Sequence, residues 1–450
     1  MSESPRMRIP HPLALLTGCV LLAAAASYVL PAGQFDRRDD PVTGRTLVVP
    51  GSYQAVEADP VNLFEAMVAL PKGMLAAGEV IFLIFLIGGA FTVVDETGTL
   101  RRAIPSLVRS MKGRDLLIVP VVSFFFAMGG VVQNLQEEII PLIPVLMILV
   151  SRMGFKPLVA VAMSAGAAFV GSAFSPINPF QVQIAQKAAE VAPTSGALFR
   201  IAFLILALVF WIGMTMRYAA ATRGTPEDFG EDLGSSMTGR DSVILGMVAG
   251  TFGLMVVGLQ QWGWDFNEMS ATFFIMGVLV GGVARMGVQG TAEAYVKGFH
   301  AMAYAALLIG FARAISIVLE EGLVIDTIVN GMFSPLESLP KLASALGMMV
   351  GQALLHVPVP SVSGQAVLTM PILVPLADLL GLSRQVIVLA YQYGAGLCDL
   401  ITPTNGALMA ILAAAGVRYE EWMKFTVPLY LGLVALGAVS IATAIAINLQ

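Results

Sequence analysis

Gly129-Gly130-Val131-Val132-Gln133-Asn134-Leu135-Gln136-Glu137-Glu138 lies in the middle of an otherwise apolar stretch, residues 115–152. The stretch begins just after Arg114 and ends at Arg152 and Lys156. Lys and Arg collect on the cytoplasmic side of a membrane, so both ends of the stretch face that side. Its two limbs, of 14–18 residues each, are shorter than the roughly 20 residues a helix needs to cross the hydrocarbon. A pair of complete crossings would place the polar centre in an outer loop. A re-entrant hairpin with its polar tip inside the membrane fits the short limbs better, and the hairpin is the expectation.

The rest of the chain has the same character. Of 450 residues, 57% are hydrophobic and 12% charged, and the mean hydropathy is +0.81. Soluble domains carry about 25% charged residues. Long apolar runs recur from 12–30 to 425–447, which reads as a polytopic membrane protein. A collagen, a disordered chain, a disulfide scaffold and a nucleic-acid binder are excluded. The net charge of −5 says little, because placement of Lys and Arg matters more than their sum. Cys19 and Cys398 both lie in apolar runs, so no disulfide framework is expected. Leu16-Thr17-Gly18-Cys19 matches a lipoprotein cleavage box, but a longer apolar stretch, Val20 to Leu30, follows it, and residues 11–30 read as a retained first span.

Arg6 and Arg8 place the N-terminus in the cytoplasm, and a bacterial inner membrane is the expected location. Segment 31–70 is then outside, where Asp36, Asp39, Asp40, Glu57, Asp59 and Glu65 suit it. Arg101, Arg102, Arg109, Lys112 and Arg114 form a cytoplasmic loop. Residues 157–194 are apolar but broken by Ser175-Pro176-Ile177-Asn178-Pro179. Two prolines so close remove backbone donors and stop a helix. Non-helical backbone at membrane depth survives only where it lines a protein cavity.

The second half repeats the first. Lys72-Gly73 is matched by Lys297-Gly298, Ile87-Gly88 by Ile309-Gly310, and Glu96 by Glu321; Pro141 is matched by Pro371, and Pro176 and Asn178 by Pro403 and Asn405, with offsets of 222–230. The organisation expected is a first repeat at 1–217 (hairpin 115–152, broken helix 157–194), a cytoplasmic linker at 218–240 and a linking span at 241–263. A second repeat follows at 264–450, with hairpin 341–380 and broken helix 384–417. The extra span inverts the second repeat. The fold class is thus an all-α polytopic membrane protein of two inverted-topology repeats, with about nine spans and two re-entrant hairpins, and such paired interruptions point to a secondary transporter with a midplane site.

Leu30-Pro31-Ala32-Gly33-Gln34-Phe35, Gly310-Phe311-Ala312-Arg313-Ala314, the Gln133–Glu138 tip and the two Pro/Asn breaks resemble the C4-dicarboxylate anaerobic carrier family. The likeness is nearest its basic amino acid antiporter branch and covers nearly the whole chain. That family belongs to the ion transporter superfamily. The resemblance implies a homodimer with scaffold and transport domains, moving as an elevator, with sodium and a carboxylate substrate held between hairpin tips and broken helices. Where superfamily members carry Ser-Asn-Thr triplets, this chain has Gln133-Asn134 and Thr402-Pro403-Thr404-Asn405.

The candidate substrate-binding residues are Asn134 and Gln136 on the first tip, and Ser175 and Asn178 at the first break. On the second side they are Ser361, Ser363 and Gln365 on the tip, and Thr402, Thr404 and Asn405 at the break. Helix ends at such breaks present amides to a carboxylate or carbonyls to a cation. Amide and hydroxyl oxygens suit a cation or a hydrogen-bonded carboxylate equally, and the sodium reading falls on Asn178 and Asn405. The plainer alternative is that these groups cap interrupted helices. A carboxylate at membrane depth is expensive and by default functional, which marks Glu137, Glu138 and Asp399 as sites for a coupling ion or a substrate ammonium. Arg313, seven residues before Glu320, is expected in a structural ion pair with it, with a direct contact to a substrate carboxylate as the lesser alternative. His356 is expected as a hydrogen-bonded structural residue. Ser361-Val362-Ser363-Gly364 near His356 suggests a serine hydrolase only superficially, because a nucleophile needs a base held in reach and seven residues across a proline-rich tip do not specify that, so no enzyme is expected.

The function expected is secondary active transport of a small carboxylate-bearing metabolite, an amino acid, by ion coupling or exchange. The alternative is a sodium- or proton-coupled C4-dicarboxylate transporter. A channel is the more distant rival, and it would show a continuous polar path rather than four separate interruptions. Beyond Na+ or H+ as coupling ion no cofactor is expected; the partners are the substrate, the bilayer and a second copy.

Overall fold

The computed structural model describes residues 11–39, 46–49, 51–100, 102–103, 115–192, 194–225 and 237–449. Arg6, Arg8, Asp40, Arg101, Arg109, Lys112 and Arg114 lie outside the described residues, as do Glu227, Asp228, Glu231 and Asp232 of the linker.

Helices dominate. Among the described residues eight are long and apolar enough to cross a membrane: Pro12–Val29, Gly78–Glu96, Asp115–Gln133, Ala197–Ala221, Phe266–Val283, Gly287–Glu321, Val362–Leu380 and Tyr419–Ala446. The chain is a multi-pass membrane protein. In chain order the helices are α1 (Pro12–Val29), α2 (Leu63–Ala76), α3 (Gly78–Glu96), α4 (Ile118–Gln133), α5 (Ile143–Arg152) and α6 (Pro157–Ala173). After the first break come α7 (Ile184–Ala188), α8 (Ala197–Ala221), α9 (Gly239–Gln261), α10 (Phe266–Val283), α11 (Gly287–Glu321) and α12 (Ile325–Phe333). The chain ends with α13 (Lys341–Leu355), α14 (Val362–Leu380), α15 (Arg384–Cys398), α16 (Gly406–Ala414) and α17 (Tyr419–Ala446).

Two features differ from the sequence reading. The outer segment after α1, expected without strands, forms two short antiparallel pairs: Gly33–Gln34 with Gln54–Ala55, and Arg37–Asp39 with Thr46–Val48. Strands of two or three residues are too short to show a period-two pattern. Buried Asp326 on α12 anchors them, accepting from the Phe35 amide and the Arg37 guanidinium, each at 2.9 Å. The limbs around the first tip are also uneven. The first limb, Asp115–Gln133, has 19 residues, and α5 has 10. Nothing stops the first limb until Asn134 turns left-handed at φ 58°, a conformation Asn tolerates well. Pro141 and Pro144 hold back the start of α5 behind a 3-10 turn, Glu137–Leu142.

Small residues let the helices approach closely, as is usual where apolar burial cannot drive association. A Cβ on Gly73 of α2 would collide with the Gly310 carbonyl of α11, and one on Gly298 of α11 would collide with the Gly88 carbonyl of α3. On the other side of the molecule, Gly130 of α4 lies against the backbone of Ala168 on α6, and Gly171 against that of Ala127. Helix α15 is buried from Gln385 to Cys398. Buried Arg200 of α8 donates to Gln385 and Gln392 of α15 at 2.9 and 3.1 Å, and Gln392 donates to the Ser175 carbonyl at 2.7 Å. The first break is thereby tied to a helix of the second half.

Candidate functional site

Helix α6 stops at Ala173 and helical backbone resumes at Pro179; α15 stops at Cys398 and α16 begins at Gly406. Each restart is capped by its asparagine, which satisfies amides that membrane depth would leave unpaired. Asn178 Oδ1 accepts from the amides of Phe180 and Gln181, both at 2.9 Å, and its Nδ2 donates to the Gly130 carbonyl at 2.7 Å and to Ser172 Oγ at 3.1 Å. Ser175 Oγ donates to the Val131 carbonyl at 2.7 Å and accepts the Asn178 amide at 2.8 Å. Ser172 Oγ in turn donates to Asn134 Oδ1. The first tip is therefore stitched to the first break, with Ser172 and Gly130 as members that sequence reading passed over.

At the second break Asn405 Oδ1 accepts the Leu408 amide at 2.9 Å, and its Nδ2 donates to Asp399 Oδ1 at 2.7 Å. The side-chain oxygens of both asparagines are thus engaged by backbone amides. Thr404 Oγ1 donates to the Val357 carbonyl at 2.6 Å. Thr402 is buried beside it, with its carbonyl accepting the Asn405 amide at 3.1 Å. Ser361 Oγ caps α14 through the Gly364 amide at 3.2 Å.

Gln136 joins the two halves. Its Nε2 donates to Asp399 Oδ2 at 2.9 Å, and its Oε1 accepts from Asn405 Nδ2 at 3.3 Å. Asp399 also meets His356, with Nε2 at 2.9 Å from Oδ1, and His356 Nδ1 stands 2.7 Å from Gln365 Oε1. His356 is fully buried and the Asp399 side chain 3% exposed.

These groups border a cavity of about 420 Å³. Asn134, Gln136, Asp399, Asn405, Ser361 and Ser363 line it; Ser175, Asn178, Gln365 and Thr402 stand behind as supports. Glu137 and Glu138 both line it; Glu137 is half-buried, whereas Glu138 is buried and accepts the Gln136 amide at 3.2 Å. Arg313 of α11 also lines the cavity. The expected ion pair with Glu320 does not form; among the described residues no carboxylate lies within salt-bridge reach of Arg313. Residue spacing had placed the two on one helix face, and that face also borders the cavity, where Arg313 is exposed. Arg313 and the N-terminus of α14 thus share the cavity with the carboxyl groups of Glu137, Glu138, Asp265 and Asp399.

Helix breaks and polar turns converging on a cavity inside a multi-pass helical protein are the features of a membrane transporter. The chain belongs to the C4-dicarboxylate anaerobic carrier family, whose model matches residues 9–446. It is 30% identical over 470 aligned positions to the Escherichia coli (strain K12) protein named "Putative basic amino acid antiporter YfcC", covering 93% of each chain. It is 29% identical over 415 residues to an uncharacterized protein of Haemophilus influenzae, covering 88% of this chain and 81% of that one. Among solved structures it is similar to the YdaH transporter of Alcanivorax borkumensis, at 19% identity and a TM-score of 0.48, over 98% of this chain and 99% of that one.

Proposed function

We propose that the protein is a secondary active transporter of an amino acid, moved across the inner membrane by ion coupling or exchange, with two copies forming an elevator-type homodimer. The observation that carries the substrate reading is the cavity holding Arg313, without a carboxylate partner, together with the half-buried Glu137. A guanidinium binds a carboxylate through two parallel hydrogen bonds, and an acid facing the same space suits an ammonium. A zwitterion answers both. A C4-dicarboxylate, named in the family description, would satisfy Arg313 and the α14 N-terminus but would bring its second carboxylate towards the acids. One cation moved with the substrate through 100 mV supplies about 2.3 kcal/mol, or roughly fifty-fold accumulation of an otherwise neutral substrate.

The test is uptake into proteoliposomes of labelled arginine, ornithine, a neutral amino acid, succinate and fumarate, under a sodium gradient, a proton gradient or internal counter-substrate. Amino-acid uptake supports the reading. Uptake confined to the dicarboxylates moves the acids to the coupling ion and replaces it.

A further inference from the structure

We infer that the coupling ion is a proton, and that it is carried between His356 Nε2 and Asp399 Oδ1 at the edge of the cavity. The inference rests on the transport reading above, and its argument is a count of hydrogen-bond donors.

Backbone carbonyls, which cannot flip, orient the neighbouring amides. Gln365 Nε2 donates to the Gln352 carbonyl at 2.9 Å, so Gln365 turns its oxygen towards His356 Nδ1. Thr369 Oγ1 donates to the Gln365 carbonyl at 2.7 Å and must accept from Gln352 Nε2 at 2.6 Å, which leaves Gln352 Oε1 for the other hydrogen of Gln365 Nε2, at 3.3 Å. Nδ1 therefore carries a hydrogen. On the far side the Leu408 amide fixes Asn405, so that Nδ2 donates to Asp399 Oδ1, while Gln136 Nε2 donates to Oδ2. Both carboxylate oxygens are acceptors already. A neutral imidazole protonated at Nδ1 would point its Nε2 lone pair at a carboxylate oxygen 2.9 Å away in a fully buried site, where unpaired polar groups are most costly. One proton must lie between the two, and the donors on Asp399 favour its residing on Nε2.

The placement suits coupling. His356 ends the first limb of the second hairpin and Asp399 ends the first half of the second broken helix. Loss of the proton sets these elements against each other. Asp399 reaches the cavity, so exchange with water needs no separate path. The other ionisable groups around the pair and its cavity are Glu137 and Glu138 on the first tip, Asp265 at the start of α10, Arg313 on α11, and Cys398, whose thiol meets Tyr430 Oη at 3.3 Å.

The experiment uses the full-length protein with ring-labelled histidine. The chain has 3 histidines, so comparison with His356→Gln assigns the signal. At pH 7 the His356 ring is expected to carry two protons in the wild type and one in Asp399→Asn. A single-proton ring in the wild type overturns the inference, whatever the substrate proves to be. In proteoliposomes free of sodium and internal substrate, with an internal pH dye, a pH gradient should accumulate the transported amino acid at least tenfold with a matching proton movement. His356→Gln should lose that movement. Uptake that is indifferent to the pH gradient, or proton movement that persists in His356→Gln, overturns the inference while leaving the transport reading standing. Absence of amino-acid uptake under every gradient and with counter-substrate overturns the transport reading instead, and the ring measurement still decides the proton site.

Discussion

Lys72 forms an ion pair with Glu321, and their counterparts 225 residues away, Lys297 and Glu96, form the same pair in reverse. Each half thus contributes the cation to one pair and the anion to the other. The glycines next to these lysines, Gly73 and Gly298, both mark close helix approaches, to Gly310 and Gly88 respectively. Exposed pairs contribute about 0–1 kcal/mol, whereas overpacking a tight contact costs about 1–3 kcal/mol. Lys72→Ala should therefore barely move the melting midpoint of the purified protein, and Gly73→Leu should lower it clearly. Equal midpoints for the two variants would contradict the packing account.

The asparagines at the breaks make a second case. Asn178→Ala removes the acceptor for two amides and the donor for a carbonyl in a fully buried site. A lost cap costs about 1 kcal/mol. Asn178→Ala is expected to abolish uptake with a modest loss of stability. Asn405→Ala frees Asp399 of one donor and should abolish uptake with less effect on stability. Normal transport by both variants would remove the asparagines from the transport machinery.

The breaks were legible in sequence because Pro176, Pro179 and Pro403 cannot continue a helix. The spacing of hydrophobic residues also placed most helices, but not the length of the limb before Asn134, which depended on where a left-handed residue stopped it. Site membership was harder. Ser172 stands in a run of Ala, Gly and Val that reads as packing, and only the approach of α4 gives its hydroxyl partners. His356 and Asp399 are 43 residues apart, and no local pattern joins them. Arg313 was read towards Glu320 because helical spacing knows a helix's faces and not which face borders a cavity.

Arg313 yields a third prediction. A charge-assisted hydrogen bond is worth about 1.5–3 kcal/mol, so Arg313→Gln should raise KM for the transported amino acid by roughly 10- to 100-fold. Arg313→Lys keeps the charge but loses the two-pronged geometry and should fall between. A KM unchanged in Arg313→Gln, measured as initial uptake rate against concentration, would place the substrate carboxylate elsewhere.

The two tip acids should separate in the last experiment. Glu138 is buried with its carboxylate on the Gln136 amide, whereas Glu137 is half-buried on the cavity wall. Both line the cavity, and the proposed reading assigns the shape of the tip to Glu138 and the ammonium to Glu137. Glu138→Gln, which can still accept from that amide, should retain discrimination between an amino acid and its des-amino carboxylate. Glu137→Gln should lose it, because the ammonium no longer finds a charge and the anion no longer meets one. Competition by the two ligands against labelled amino-acid uptake reads the ratio directly. A ratio altered in Glu138→Gln and unchanged in Glu137→Gln would exchange the roles of the two acids.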